Sequence, residues 1–76
     1  MRIALKDFLF GDAIKYRGMT GVEMTAQIVK DERGRNFLRL IGATTGRIVR
    51  EEVTTRKGAE RFYRLVEPTL IDEQVA

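Results

Sequence analysis

A chain of 76 residues with no cysteine and no histidine must fold by side-chain packing alone. No disulfide can close a loop, and neither thiolate nor imidazole is present to hold a structural metal. At this length there is room for one domain with a thin core. Serine is missing as well, so no nucleophile–base pair of the Ser–His or Cys–His kind can form. The carboxylates are scattered along the chain rather than clustered as cation ligands. The composition therefore points away from an enzyme and predicts no metal and no cofactor.

Arg2, Lys6 and Asp7 interrupt the apolar N-terminal residues, which excludes a secretory signal of ordinary form, and no long apolar run follows. A soluble cytoplasmic protein without a membrane partner is expected. Its charge is unevenly placed. Between Lys30 and Arg64 stand ten basic residues against five acidic ones, a net +5, and eight of the ten are arginine. Glu67 to Ala76 carries net −3. Arginine suits bidentate contact with phosphate and guanine.

Local patterns suggest an order of elements. Leu5, Phe8 and Leu9 give an N-terminal helical face, which Ala13, Ile14 and Tyr16 either continue or follow. Thr20 and Glu23 have the spacing of a capping box, with Met19 and Met24 spaced as a hydrophobic staple. They predict a helix from Gly21 to about Val29. The same residues also alternate: Val22, Met24, Ala26 and Ile28 against Glu23, Thr25 and Gln27. That pattern suits a strand, with Asp31-Glu32-Arg33-Gly34 as a hairpin turn into a strand from Asn36 to Ile41. The helix is preferred because cap and staple agree. Residues 32–41 then form a third helix with Phe37, Leu38 and Ile41 inward, Asp31 as N-cap and Gly42 as its stop. Ala43 to Gly46 form a turn. Ile48–Val53, a polar Thr54–Gly58 loop and Arg61–Val66 read as a β-hairpin with a basic tip, and Pro68 ends it.

These pieces resemble a winged helix-turn-helix domain. They are Thr20-Gly21-Val22-Glu23-Met24, then Asp31 to Ile41, Gly46-Arg47-Ile48-Val49-Arg50, and Tyr63-Arg64-Leu65. The pattern is closest to small bacterial regulators of the MarR-like and ArsR-like type, without the metal site. The resemblance implies an α+β fold of three helices followed by a two-stranded β-hairpin wing. The domain would span residues 1–67, and residues 68–76 would form a short tail. The competing strand reading implies a small antiparallel, β-rich, barrel-like domain instead.

The function implied by the resemblance is sequence-specific binding of double-stranded DNA in transcription regulation. Arg35, Asn36 and Arg39 would read bases in the major groove, and Arg33 would touch phosphate. Arg56, Lys57 and Arg61 of the wing would reach the backbone or minor groove. A homodimer is expected, joined through Thr69–Ala76 or the N-terminal helix. Glu51 and Glu52 would pair with Arg50 and Arg64. Two other functions fit the same residues: a protein-interaction module, or a single-stranded nucleic-acid or RNA binder stacking bases on Phe37, Phe62 or Tyr63.

Overall fold

The computed structural model describes residues 3–71. Its elements are α1 (Leu5–Leu9), β1 (Ile14–Arg17), β2 (Glu23–Lys30), β3 (Asn36–Gly42), β4 (Ile48–Val53) and α2 (Arg56–Val66), closed by a 3-10 turn at Glu67–Thr69. The strands form one antiparallel sheet in the order β1-β2-β3-β4. This α+β arrangement is not a winged helix-turn-helix, and the resemblance to that family fails with it. The sheet is open, since β1 and β4 do not pair, so it is not a barrel either.

Each correction has a local cause. Where a helix was expected over residues 21–29, Glu23–Lys30 form a strand, because its alternating residues find partners on both sides. Ala26 lies opposite Ile14 of β1 and Leu40 of β3, and Ile28 opposite Leu38. Ala26 and Ile28 are buried by that pairing. A helix cap is worth about 0.5–2 kcal/mol, less than the burial of a central strand. Gly21 has φ +84°, outside the helical region. It closes the β1–β2 turn, where the Gly21 amide donates to the Gly18 carbonyl. Thr20 and Met19 are exposed in that turn, so neither cap nor staple forms.

The supposed third helix, 32–41, is a turn followed by β3. Gly34 has φ +80°, and its amide donates to the Asp31 carbonyl across a tight turn. Asp31 anchors that turn rather than capping a helix. Gly42 is the last residue of β3 and stops no helix. The turn expected at 43–46 is present.

The supposed wing is β4 followed by a helix. Thr55 is the N-cap of α2, its hydroxyl accepting from the Gly58 amide at 3.1 Å. Residues 61–66 are helical because Ala59, Phe62, Tyr63 and Val66 then share one inward face, while Arg61, Arg64 and Leu65 point to solvent. Glu52 pairs with Arg50 at 3.1 Å as expected, but Glu51 pairs with Arg39 rather than Arg64.

Both helices lie on one face of the sheet. α1 is short, and Phe8 is its fully buried residue. The Phe8 ring lies 6.2 Å from Phe62 and 5.8 Å from Tyr63, and Tyr16 meets Phe62 edge-on at 5.6 Å. The Tyr63 hydroxyl donates to the Ile3 carbonyl at 2.8 Å. Ile14, Ala26, Ile28 and Leu38 supply the floor of the core from the strands. Past Val66 the chain turns back along β1. Leu70 bridges Tyr16, and the Ile71 amide donates to the Lys15 carbonyl at 2.9 Å. Residues 72–76, the rest of the expected tail and dimer element, lie outside the described residues.

Replacing Phe8 by Ala should remove about 3–5 kcal/mol of stability, a large share of the roughly 5–15 kcal/mol usual for a small domain. Leu65→Ala, on the exposed side of α2, should stay within about 0.5 kcal/mol of the parent. Urea unfolding measures both. Equal effects would show that the aromatic cluster does not hold the helices.

Candidate functional site

β1 has four residues and β2 eight, so β1 covers only part of β2. Beyond that point the loop after α1 runs beside β2, where Gln27 Nε2 donates to the Gly11 carbonyl at 2.8 Å. This brings the end of α1 close to the last residues of β2. On the other side, the Thr54 amide donates to the Asn36 carbonyl at 2.9 Å, which places the start of α2 beside the start of β3. Between these segments lies a cleft of about 230 Å³. Lys6 of α1, Lys30 of β2 and Arg56 of α2 line it, with Asn36, Thr54 and Thr55. Leu9, Ile28 and Ala59 form its apolar lining, and Phe10 stands at its edge with 89% of its surface exposed.

Among the described residues no carboxylate lines this cleft. Among the described residues Lys6 and Lys30 have no ion pair, and Arg56 meets Glu60 at 3.4 Å in an exposed i,i+4 contact. Exposed pairs of that kind contribute little. Arg56 and Lys57 also occupy the first turn of α2, which has no acidic residue. The helix macrodipole disfavours cations there, by about 0.3–1 kcal/mol each when exposed. A negatively charged group in the cleft would offset both that cost and the mutual repulsion of three cations. Lys57, Arg61 and Arg64 continue the positive charge along the solvent face of α2, at i, i+4 and i+7.

The seven residues expected from sequence to touch DNA divide in three ways. Asn36 and Arg56 line the cleft, on different elements from those expected. Arg33 lies exposed in the β2–β3 turn, and Lys57 and Arg61 are exposed on α2. Arg35 and Arg39 are engaged elsewhere. Arg35 binds Asp31 through Nε at 2.9 Å and sits 5.5 Å from the centre of the Phe37 ring. Arg39 holds Glu51 on the sheet face away from the helices. Phe62 and Tyr63 belong to the core and offer no stacking surface.

Sequence reasoning missed Lys6, Phe10, Lys30, Thr54 and Thr55. The signal for Thr55 was present: Thr55 and Gly58 have cap spacing, and residues 59, 62, 63 and 66 repeat at helical period. Nothing in the sequence marks Lys6 and Lys30 as neighbours, because only the path of the α1–β1 loop brings them together.

The chain matches no protein-family model, and neither a curated protein nor a solved structure resembles it. Among the described residues no helix is long and apolar enough to cross a membrane.

Asp31 holds the β2–β3 turn that joins Lys30 to Asn36. Its carboxylate accepts from the amides of Arg33 at 2.9 Å and Arg35 at 2.8 Å, besides the Arg35 guanidinium. Partial desolvation works against ionisation. The Arg35 amide, the Arg35 guanidinium and the Arg33 amide outweigh it and hold the carboxyl below its usual range. A carboxyl depressed on folding stabilises the fold above its unfolded pKa, and that stability is lost as pH falls through the folded value. Asp31→Asn should therefore melt lower than the parent at neutral pH, and the gap should close in acid, below the ordinary carboxylate range. Thermal melts across that range test this; a gap that does not change with pH would assign the effect to turn geometry instead of charge.

Proposed function

We propose that this is a cytoplasmic single-stranded nucleic-acid-binding domain. It seats backbone phosphate in the cleft of Lys6, Lys30 and Arg56 and stacks an unpaired base on Phe10. One observation carries the reading. Three cations from three separate segments converge on a cleft with no carboxylate among the described residues of its lining, beside an almost fully exposed aromatic ring. Phosphate attracts the cations, and the Asn36 amide and threonine hydroxyls can complete its hydrogen bonds. Lys57, Arg61 and Arg64 give the strand a track along α2.

The shape favours a single strand over a duplex. Base–aromatic stacking needs a base free of its partner and is worth about 1–3 kcal/mol per base. The duplex-reading element expected at residues 32–41 is a turn and a strand in the middle of the sheet. Its Arg39 is paired with Glu51, so no helix presents Arg35, Asn36 and Arg39 together to a major groove.

Fluorescence anisotropy with labelled single-stranded DNA, single-stranded RNA and duplex DNA, each over a salt series, tests the proposal. Single strands should bind more tightly than duplex. Replacing Lys30 and Arg56 together by Ala should lower the log–log salt slope by about 0.7 for each phosphate that is no longer neutralised. Phe10→Ala should cost about 1–3 kcal/mol of affinity with the slope unchanged. A preference for duplex, or a salt slope that Lys30 and Arg56 do not affect, would reject this reading.

A further inference from the structure

The two edges of the sheet are treated differently. The β1 edge is closed by the chain itself, through the Leu70 bridge to Tyr16 and the Ile71 amide on the Lys15 carbonyl. The β4 edge is open. All six residues of β4 are exposed, and among the described residues it pairs with β3 alone. The Thr54 amide points to Asn36. By the alternation of an antiparallel ladder, Glu52 and Arg50 then also face β3, while the N–H and C=O groups of Glu51 and Val53 face outward. Ile48, Val49 and Val53 are left exposed along the same strand. An open six-residue edge with apolar residues at both ends and charged ones between is a template for a further strand.

The charge order of β4 selects that strand. We propose that two copies of this chain pair antiparallel through β4, about a two-fold axis at Glu51. Such an axis stands perpendicular to the sheet and keeps its faces, so residues that meet must lie on the same face. Centring on Arg50 sets Arg50 against Arg50, and centring on Glu52 sets Glu52 against Glu52. Centring on Glu51 sets Arg50 of each copy against Glu52 of the other, twice. With the Arg50–Glu52 pairs already within each chain, the charges then alternate around a square. The two Glu51 side chains that meet at the axis are each already bound to Arg39 of their own chain. Glu51 is an outward-facing residue, so its amide and carbonyl are free to form the central reciprocal hydrogen bonds.

Val53 of each copy falls against the apolar Ile48–Val49 step of the other. That step is where β4 shifts register against β3, which confines regular pairing to the middle of the strand. The combined sheet has eight strands with both pairs of helices on the same side. Leu70 and Ile71 are not available for the tail-mediated dimer expected from sequence, because they already close β1.

Analytical ultracentrifugation of the full chain should give twice the 8.7 kDa of one copy. Arg50→Glu alone places Glu against Glu, and Glu52→Arg alone places Arg against Arg. Each should dimerise at least about tenfold more weakly than the parent. An equimolar mixture of the two variants should recover a dimer, since both contacts between positions 50 and 52 in the mixed pair are of opposite charge. Because the chain has no cysteine, Glu51→Cys gives an independent reading. Hydrogen-bonded antiparallel partners stand about 5.5 Å apart at Cα, inside the disulfide range of about 4.4–6.8 Å. Mild oxidation should then link Glu51→Cys into dimers and leave Lys57→Cys unlinked. The proposal is overturned by a parent chain that stays monomeric at every concentration. It is equally overturned by single variants as tight as the parent, by a mixture that stays monomeric, or by equal cross-linking at both positions. None of these readings involves nucleic acid, so the dimer and the cleft stand or fall separately.

Discussion

Four aromatic rings hold this molecule together. Phe8 of α1, Phe62 and Tyr63 of α2 and Tyr16 of β1 meet within 5.6–6.2 Å in offset and edge-on contacts. Without them neither helix has a reason to lie on the sheet. α1 is a helix of five residues, far too short to persist alone in water, and Phe8 is the anchor that keeps it folded. The Tyr63 hydroxyl adds a polar tie to the backbone at Ile3. A single meander of four strands buries one face only when something covers it. The aromatic cluster provides that cover, and it also fixes the distance between α1 and α2 that leaves the cleft open between them.

Four acidic side chains of the sheet and its turns are engaged. Glu23 faces Arg17, Asp31 holds Arg35, Glu51 holds Arg39, and Glu52 holds Arg50. Each pair is exposed and individually weak. Their combined effect is on where positive charge remains. Lys6, Lys30, Arg33, Lys57, Arg61 and Arg64 carry no ion pair among the described residues, and Lys6 and Lys30 line the cleft while the last three run along α2. Folding thus pairs most of the sheet's arginines and leaves Lys6 and Lys30 in the cleft and Lys57, Arg61 and Arg64 along α2 without an ion pair among the described residues, Arg56 alone of these surfaces meeting a carboxylate, Glu60.

Several features were legible in the amino-acid order. That no disulfide and no thiolate or imidazole metal ligand can form follows from the missing cysteine and histidine. The helical face of Leu5, Phe8 and Leu9, the turn at 43–46, the Arg50–Glu52 pair and the basic character of residues 30–64 all read directly. The alternation of residues 22–28, the turn at Asp31–Gly34 and the strand from Asn36 were also visible, as a rival to the helices. What the order did not decide was the period. Met24 and Ile28 satisfy both a spacing of four and a spacing of two, and Thr20 with Glu23 adds a local argument for helix. Residues 61–66 carry the opposite ambiguity, being rich in strand formers yet buried on a helical face.

The ambiguity is resolved by partners far along the chain. β2 is a strand because β1 and β3 flank it, and α2 is a helix because Phe8 and Tyr16 receive Phe62 and Tyr63. Local propensities differ by about a kilocalorie per residue, while burying a large side chain is worth about 1.5–3 kcal/mol, so tertiary contact overrules the local signal. The sequence by itself determined how much charge there is, the absence of staples and the positions where the chain can turn. The tertiary structure alone decided that Lys6, Lys30 and Arg56 meet, that Arg35 and Arg39 are engaged, and that the β4 edge stays open. Those outcomes depend on strand register and on the path of a loop, which arise from contacts between segments distant in sequence.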